Sequence, residues 1–188
     1  MHFKYKSSLA LVLALNIATT GCSAQWINIA LQDLPVLTQM ALNIATLAGT
    51  FSRQQNTADL AVIQNVSSQA SRDLNLLLTL YNEYKANPNS TTLGKIQAAV
   101  NVMNQRLPAL LESAHISNPL LTARVSAAVN LILATVNNFA ALIPSSGSVR
   151  ARKAIGPLPT TSDLKRQWNQ QVCVPDEPVS NVSSCLMR

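Results

Sequence analysis

The chain has 188 residues, of which 12% are charged and 4% aromatic, and a formal net charge of +6. That length gives one domain with enough apolar material for a real core, and its 14 basic residues are too few and too scattered to mark a nucleic-acid surface. With so few charges the solvent face must be built from Asn, Gln, Ser and Thr, which suits an exported protein better than a cytosolic one.

The N-terminal segment reads Lys4 and Lys6, then an apolar run from Leu9 to Leu15, then Ala18-Thr19-Thr20-Gly21. Positive charge, apolar run and small residues in that order make a secretory signal peptide, with an apolar part too short to span a bilayer stably. The segment Thr19-Thr20-Gly21-Cys22 resembles the lipobox of bacterial lipoproteins. The resemblance implies diacylglycerol on the Cys22 thiol, cleavage before it, and residues 1–21 as the removed signal. Ser23 in the next position then implies the outer membrane, facing the periplasm. Cleavage after Ala24 instead would discard Cys22 and leave a secreted protein. Without Lys4 and Lys6 the balance is 12 basic against 8 acidic residues, a net charge of +4.

Four segments of helical period follow. The first carries Ile27, Ala30, Leu34, Leu37, Ala41, Ile44 and Ala48 at alternating spacings of three and four, with Gly49 as a stop signal. The second, capped by Asn56 or Thr57 and reaching about Asn87, carries Leu60, Ile63, Ser67, Ala70, Leu74, Leu77, Tyr81 and Tyr84, with Ser67 its one polar lapse. The third carries Leu93, Ile96, Val100, Met103, Leu107, Leu110 and Ala114. The fourth, opened by Ser117 with Pro119 in its first turn, carries Leu121, Val125, Ala128, Ile132, Thr135, Phe139 and Leu142, and stops at Pro144.

A stripe repeating every three and four residues must be buried against neighbouring helices, and the short joints between segments make successive helices antiparallel. The fold class predicted is all-α: an up-down-up-down four-helix bundle over residues 22–143, about 35–40 Å long. Pro35 and Pro108 fall inside helical patterns, where each removes a backbone hydrogen bond. A kink is expected at each, or at Asp33 a fresh helix start that leaves Gln25 to Gln32 as a separate short helix.

Residues 144–188 change character, with prolines at 144, 157, 159, 175 and 178 and a basic cluster of Arg150, Arg152 and Lys153. Within this extended tail Thr161-Ser162-Asp163 can cap one short helix, about 162–171, whose Leu164 and Trp168 share a face that docks on the bundle. Cys173 and Cys185 have eleven residues between them. With Cys22 lipidated or cleaved away they form a pair, and export to an oxidising space predicts a disulfide.

Catalytic and metal chemistry find little to stand on. Glu112 and His115 give one Glu-x-x-His element, whereas a di-iron bundle needs two such elements and two further Glu. Beyond the signal the chain has three Glu, namely Glu83, Glu112 and Glu177, and no second His. Asp59 is expected near His115, since the second and third helices run antiparallel, but no metal site is predicted there. No Cys-x-x-Cys-His, Gly-x-Ser-x-Gly or Gly-rich phosphate loop occurs, and Met40 and Met103 read as core filler, so neither haem nor any other cofactor is expected. The sequons at Asn65, Asn89 and Asn181 follow from a composition rich in Asn, Ser and Thr.

The sequence therefore predicts a non-catalytic, lipid-anchored protein of the cell envelope with a structural or interaction role. Its expected partners are the membrane through lipid on Cys22, another envelope protein or a second copy of the chain, and no nucleic acid. Arg150, Arg152 and Lys153 are the residues expected to touch an anionic surface. Two alternatives stand beside this. One is a transmembrane or membrane-active protein, since Leu34 to Ser52 and Val125 to Ile143 are charge-free stretches of 19 residues. The other is a carrier of an apolar small molecule between kinked helices.

Overall fold

A computed structural model of the chain describes residues 5–51, 57–143, 158–173 and 185–188, with side chains in the first stretch from Trp26 to Thr50. Five helices make up the described residues, with no strand among them: α1 (Tyr5–Phe51), α2 (Thr57–Ala86), α3 (Ser90–Ser113), α4 (Pro119–Ala141) and α5 (Thr161–Gln171).

The four apolar stripes are the buried faces. All seven positions read from α1 are buried, as are Ile63 to Tyr81 of the α2 stripe, Ile96 to Leu107 of α3 and Leu121 to Phe139 of α4. The outermost positions, Leu60, Tyr84, Leu93, Leu110 and Leu142, are half-buried and pack on the rim of the same core. Helix α1 packs on α2 and α4, α3 packs on the same two helices, and α5 lies against α1 and α4.

Polar pairs mark how the helices meet. The Ser67 hydroxyl of α2 donates to the Ala41 carbonyl of α1 at 2.8 Å. Arg106 of α3 pairs with Asp73 of α2 at 3.2 Å, and Asn104 of α3 exchanges two hydrogen bonds with Asn137 of α4 at 2.7 and 3.0 Å. Late in α2, Glu83 accepts from the Thr92 hydroxyl early in α3 at 2.7 Å and pairs with Lys95 at 3.4 Å.

Several boundaries differ from the sequence expectation. Gly49 does not stop α1, which continues to Phe51. Nor does Asp33 start a new helix, because α1 runs unbroken through Pro35. Pro35 is exposed, so water can take the Leu31 carbonyl that the missing N–H leaves over. Pro108 lies inside α3, which runs on to Ser113. The N-cap of α4 is Asn118, whose side chain accepts the Leu121 amide at 3.1 Å, and not Ser117. Helix α5 begins one residue earlier than read, behind a capping box in which Thr160 and Asp163 each accept the other's backbone N–H.

The stripes also understate how much α1 and α4 bury. Trp26, Asp33, Met40 and Leu47 form a second buried column on α1, each seven residues from the next, and α4 adds Arg124, Val129, Leu131, Leu133 and Val136. These are the two helices against which α5 lies, in addition to their other helical neighbours.

Candidate functional sites around the tail helix

Helix α5 is built onto α1 and α4 through one face. Its Leu164 and Trp168 are fully buried, as the four-residue spacing predicts, and Val172 follows them into the core. The other side of α5 holds residues 185–188. Trp168 Nε1 donates to the Cys185 carbonyl at 3.0 Å, Asn169 both donates to the Met187 carbonyl at 3.0 Å and accepts its amide at 2.8 Å, and Lys165 Nζ donates to the Arg188 carbonyl at 2.6 Å. Spacings of three and four residues place those three side chains on adjoining turns, and together they pair four backbone groups of residues 185–188. Cys173 and Cys185 are brought together as the expected disulfide pair, both almost fully buried, with Cα atoms 5.7 Å apart.

Where α5 starts, α1 supplies Asp33. Its side chain is buried, with 2% of its residue surface exposed. Oδ1 accepts the Thr161 hydroxyl at 2.7 Å, while Oδ2 has no hydrogen-bond partner. Burial pushes this carboxyl above its ordinary range, and the Thr161 bond only partly opposes the shift. Beside it lies a cleft of about 250 Å³ walled by Ile29, Gln32 and Asp33 of α1 and by Leu158 to Thr161 leading into α5. A wider and more open cleft of about 420 Å³ lies further along the same seam, between Pro35, Val36, Gln39 and Asn43 of α1 and Lys165 with residues 186–188.

The residues weighed for metal chemistry behave differently. Glu112 and His115 are both exposed, and no group of three or more potential ligands occurs among the described residues. Asp59 turns to the chain just past His115: it accepts the Ser117 hydroxyl at 2.6 Å and the Ser117 amide at 3.1 and 3.2 Å. The hydroxyl bond, then the amide bond, holds its carboxyl below the usual range. Met40 and Met103 are fully buried core residues.

Close to the middle of α1, the Trp26 ring packs edge-on against Tyr81 at 5.7 Å and tilted against Tyr84 at 6.1 Å. Cys22 belongs to α1 by its backbone, and its side chain lies outside the described residues, as do Arg150, Arg152 and Lys153 altogether. Sequence reading missed Asp33 as a site residue. The available signal was that it is the sole ionisable side chain from Trp26 to Thr50 and stands seven residues from both Trp26 and Met40. No protein-family model, no curated protein and no solved structure matches the chain.

Proposed function

We propose that the protein is a lipid-anchored, up-down-up-down four-helix bundle of the bacterial cell envelope that acts by contact and performs no catalysis. Residues 22–143 form the bundle, the tail from 144 straps it, and lipid on Cys22 holds it to the outer membrane, facing the periplasm. The pairing of Asp59 with Ser117, Asp73 with Arg106 and Glu83 with Thr92 supports the antiparallel course, because each residue early in α2 meets one late in or just past α3, and the reverse.

The observation that carries the functional reading is how close the tail returns to the anchor. Leu158, five residues after Lys153 in sequence, shares a cleft with Ile29. Ile29 is seven residues beyond Cys22 on one unbroken helix, about 10 Å along its axis. A basic cluster tethered there would meet the anionic headgroups beneath a lipidated Cys22, where each charge near the surface is worth about 1 kcal/mol. The remaining surface is left for an envelope protein or a second copy of the chain.

A transmembrane role leans on α4, which is long and apolar enough to cross a bilayer. Over half of its most apolar stretch is buried among the other helices, which favours the first reading. Labelled palmitate should enter the wild-type chain and not the Cys22→Ser form, and the latter should partition into water. Equal labelling of both would end the lipoprotein reading, and a membrane-bound Cys22→Ser protein would favour the transmembrane one.

A further inference from the structure

The wider cleft, between α1 and residues 186–188, combines apolar walls with charge of one sign. Pro35 and Val36 of α1 supply the apolar part together with Leu186 and Met187. Leu186 has 45% of its surface exposed, and an alkyl chain in the cleft would cover part of it. The charged residues lining the cleft are Lys165 and Arg188, both cations, whereas Gln39 and Asn43 are neutral and hydrogen-bonded to each other. Among the described residues of α1 and α5 the acids are Asp33, which holds Thr161, and Asp163, which holds Thr160 and Arg166, and neither lines this cleft. A main-chain carboxylate on Arg188 would cancel one positive charge and leave the other.

Lys165 is half-buried, and its ammonium uses one N–H on the Arg188 carbonyl at 2.6 Å. An ammonium has three donors, so two remain for an anion. A cleft lined by one sign of charge concentrates the opposite ion, and a hydrogen bond from ammonium to carboxylate is stronger than a neutral one. The apolar walls select an anion that carries a hydrocarbon chain over a small hydrated one, and about 420 Å³ is within the usual size of small-molecule sites. Val36 stands 14 residues beyond Cys22 on α1, about 21 Å along the axis. That distance suits a free amphiphile and not the face of a bilayer that would hold lipid on Cys22.

We propose that this cleft binds a single-chain anionic amphiphile, its head on Lys165 and its alkyl chain along Pro35, Val36, Leu186 and Met187. The site is independent of whether Cys22 carries lipid.

The test is titration of the purified Cys22→Ser chain with decanoate, below its micelle concentration, followed through the methyl resonances of Val36, Leu186 and Met187. Decanoate should give saturable shifts and bind roughly tenfold more tightly than decyltrimethylammonium, which has the same chain and the opposite charge. Acetate, which has the head without the chain, should give no saturable shift. Gln39→Glu adds an acid to the lining at an exposed position of α1 and leaves the Lys165 bond in place, so it should reduce the preference for decanoate several-fold. Lys165→Met should weaken decanoate by about as much; the Gln39 variant decides the matter if loss of Lys165 displaces residues 185–188. No saturable shift with decanoate, equal binding of the cationic amphiphile, or an undiminished preference in Gln39→Glu would overturn the proposal. So would tighter binding of an acetylated tri-leucine peptide with a free carboxylate, which would make the cleft a peptide-docking site.

Discussion

The indole N–H of Trp168 donates to the carbonyl of Cys185, 3.0 Å away, so the ring that seats α5 against α1 and α4 also grips the far end of the Cys173–Cys185 loop. Covalent closure and side-chain docking therefore act on the same few residues. A loop of this size restricts the unfolded tail by about 3 kcal/mol in the chain-entropy account. Replacing both Cys173 and Cys185 by Ser should speed amide exchange at Met187 and through α5 by a comparable factor, while the far-ultraviolet helix signal changes little. Unaltered exchange would show that Leu164 and Trp168 hold the tail without the crosslink.

Val100 and Met103 occupy the middle of α3, with 3% and 0% of their surface exposed. Val100→Asp would bury a carboxylate with no cation prepared for it, at a cost of about 3–5 kcal/mol. At about 2–4 °C per kcal/mol for a chain of this size, the melting temperature should fall by roughly 6–20 °C. A melting curve that does not move would place this face of α3 in solvent.

Asp33 gives the protein an unusual acid response. Its carboxyl is raised in the folded state, so its contribution to stability is greatest below the ordinary carboxylate pKa of about 4 and is lost as pH rises through the raised value. Asp59, Glu83 and Asp163 are shifted the opposite way, chiefly by hydroxyl donors, and contribute stability that disappears as pH falls. Asp33→Asn keeps an acceptor for Thr161 and removes the buried charge. At neutral pH this variant should melt higher than the wild type, and the gap should close in acid. A constant difference across the whole pH range would show that Asp33 does not titrate between the two states.

Asn118 and Ser117 separate two roles that adjoin in sequence. Asn118→Ala removes the cap on the Leu121 amide and should cost about 1 kcal/mol. Ser117→Ala leaves that cap intact and takes from Asp59 its 2.6 Å hydroxyl donor, so its effect should appear as a rise in the Asp59 pKa followed by carboxyl resonances. If Ser117→Ala destabilised α4 as much as Asn118→Ala and left Asp59 unmoved, the assignment of the cap would be wrong.

The apolar stripes were legible because burial in a helical packing needs only the local spacing of three and four residues, and Leu164 with Trp168 announced the docked face of α5 in the same way. The column Trp26, Asp33, Met40 and Leu47 was not, since half of its members are polar-tipped or charged and part of its burial comes from a tail more than a hundred residues away in sequence. Thr161 lies 128 residues from Asp33, and Ser117 lies 58 from Asp59. Nothing in the local pattern of either residue marks such a partner. Ser117 looked like the α4 cap because Ser, Asn and Pro all favour a helix start; only the bond from Leu121 distinguishes them.

Ser67, the single polar member of its stripe, has a consequence for alignment. Leu60, Ser67, Leu74 and Tyr81 recur every seven residues on α2, as Leu34, Ala41 and Ala48 do on α1. Two such columns could slide past one another by a full heptad, about 10 Å, and still match apolar to apolar. The small pair at Ser67 and Ala41 is closed by a hydroxyl on a carbonyl at 2.8 Å, a contact that needs the two helices close together at that level. A slip in one direction would force Leu60 against Ala41, and in the other Leu74, and either would take Tyr81 away from Trp26. One hydroxyl thus makes unique an alignment that the hydrophobic repeat alone leaves degenerate.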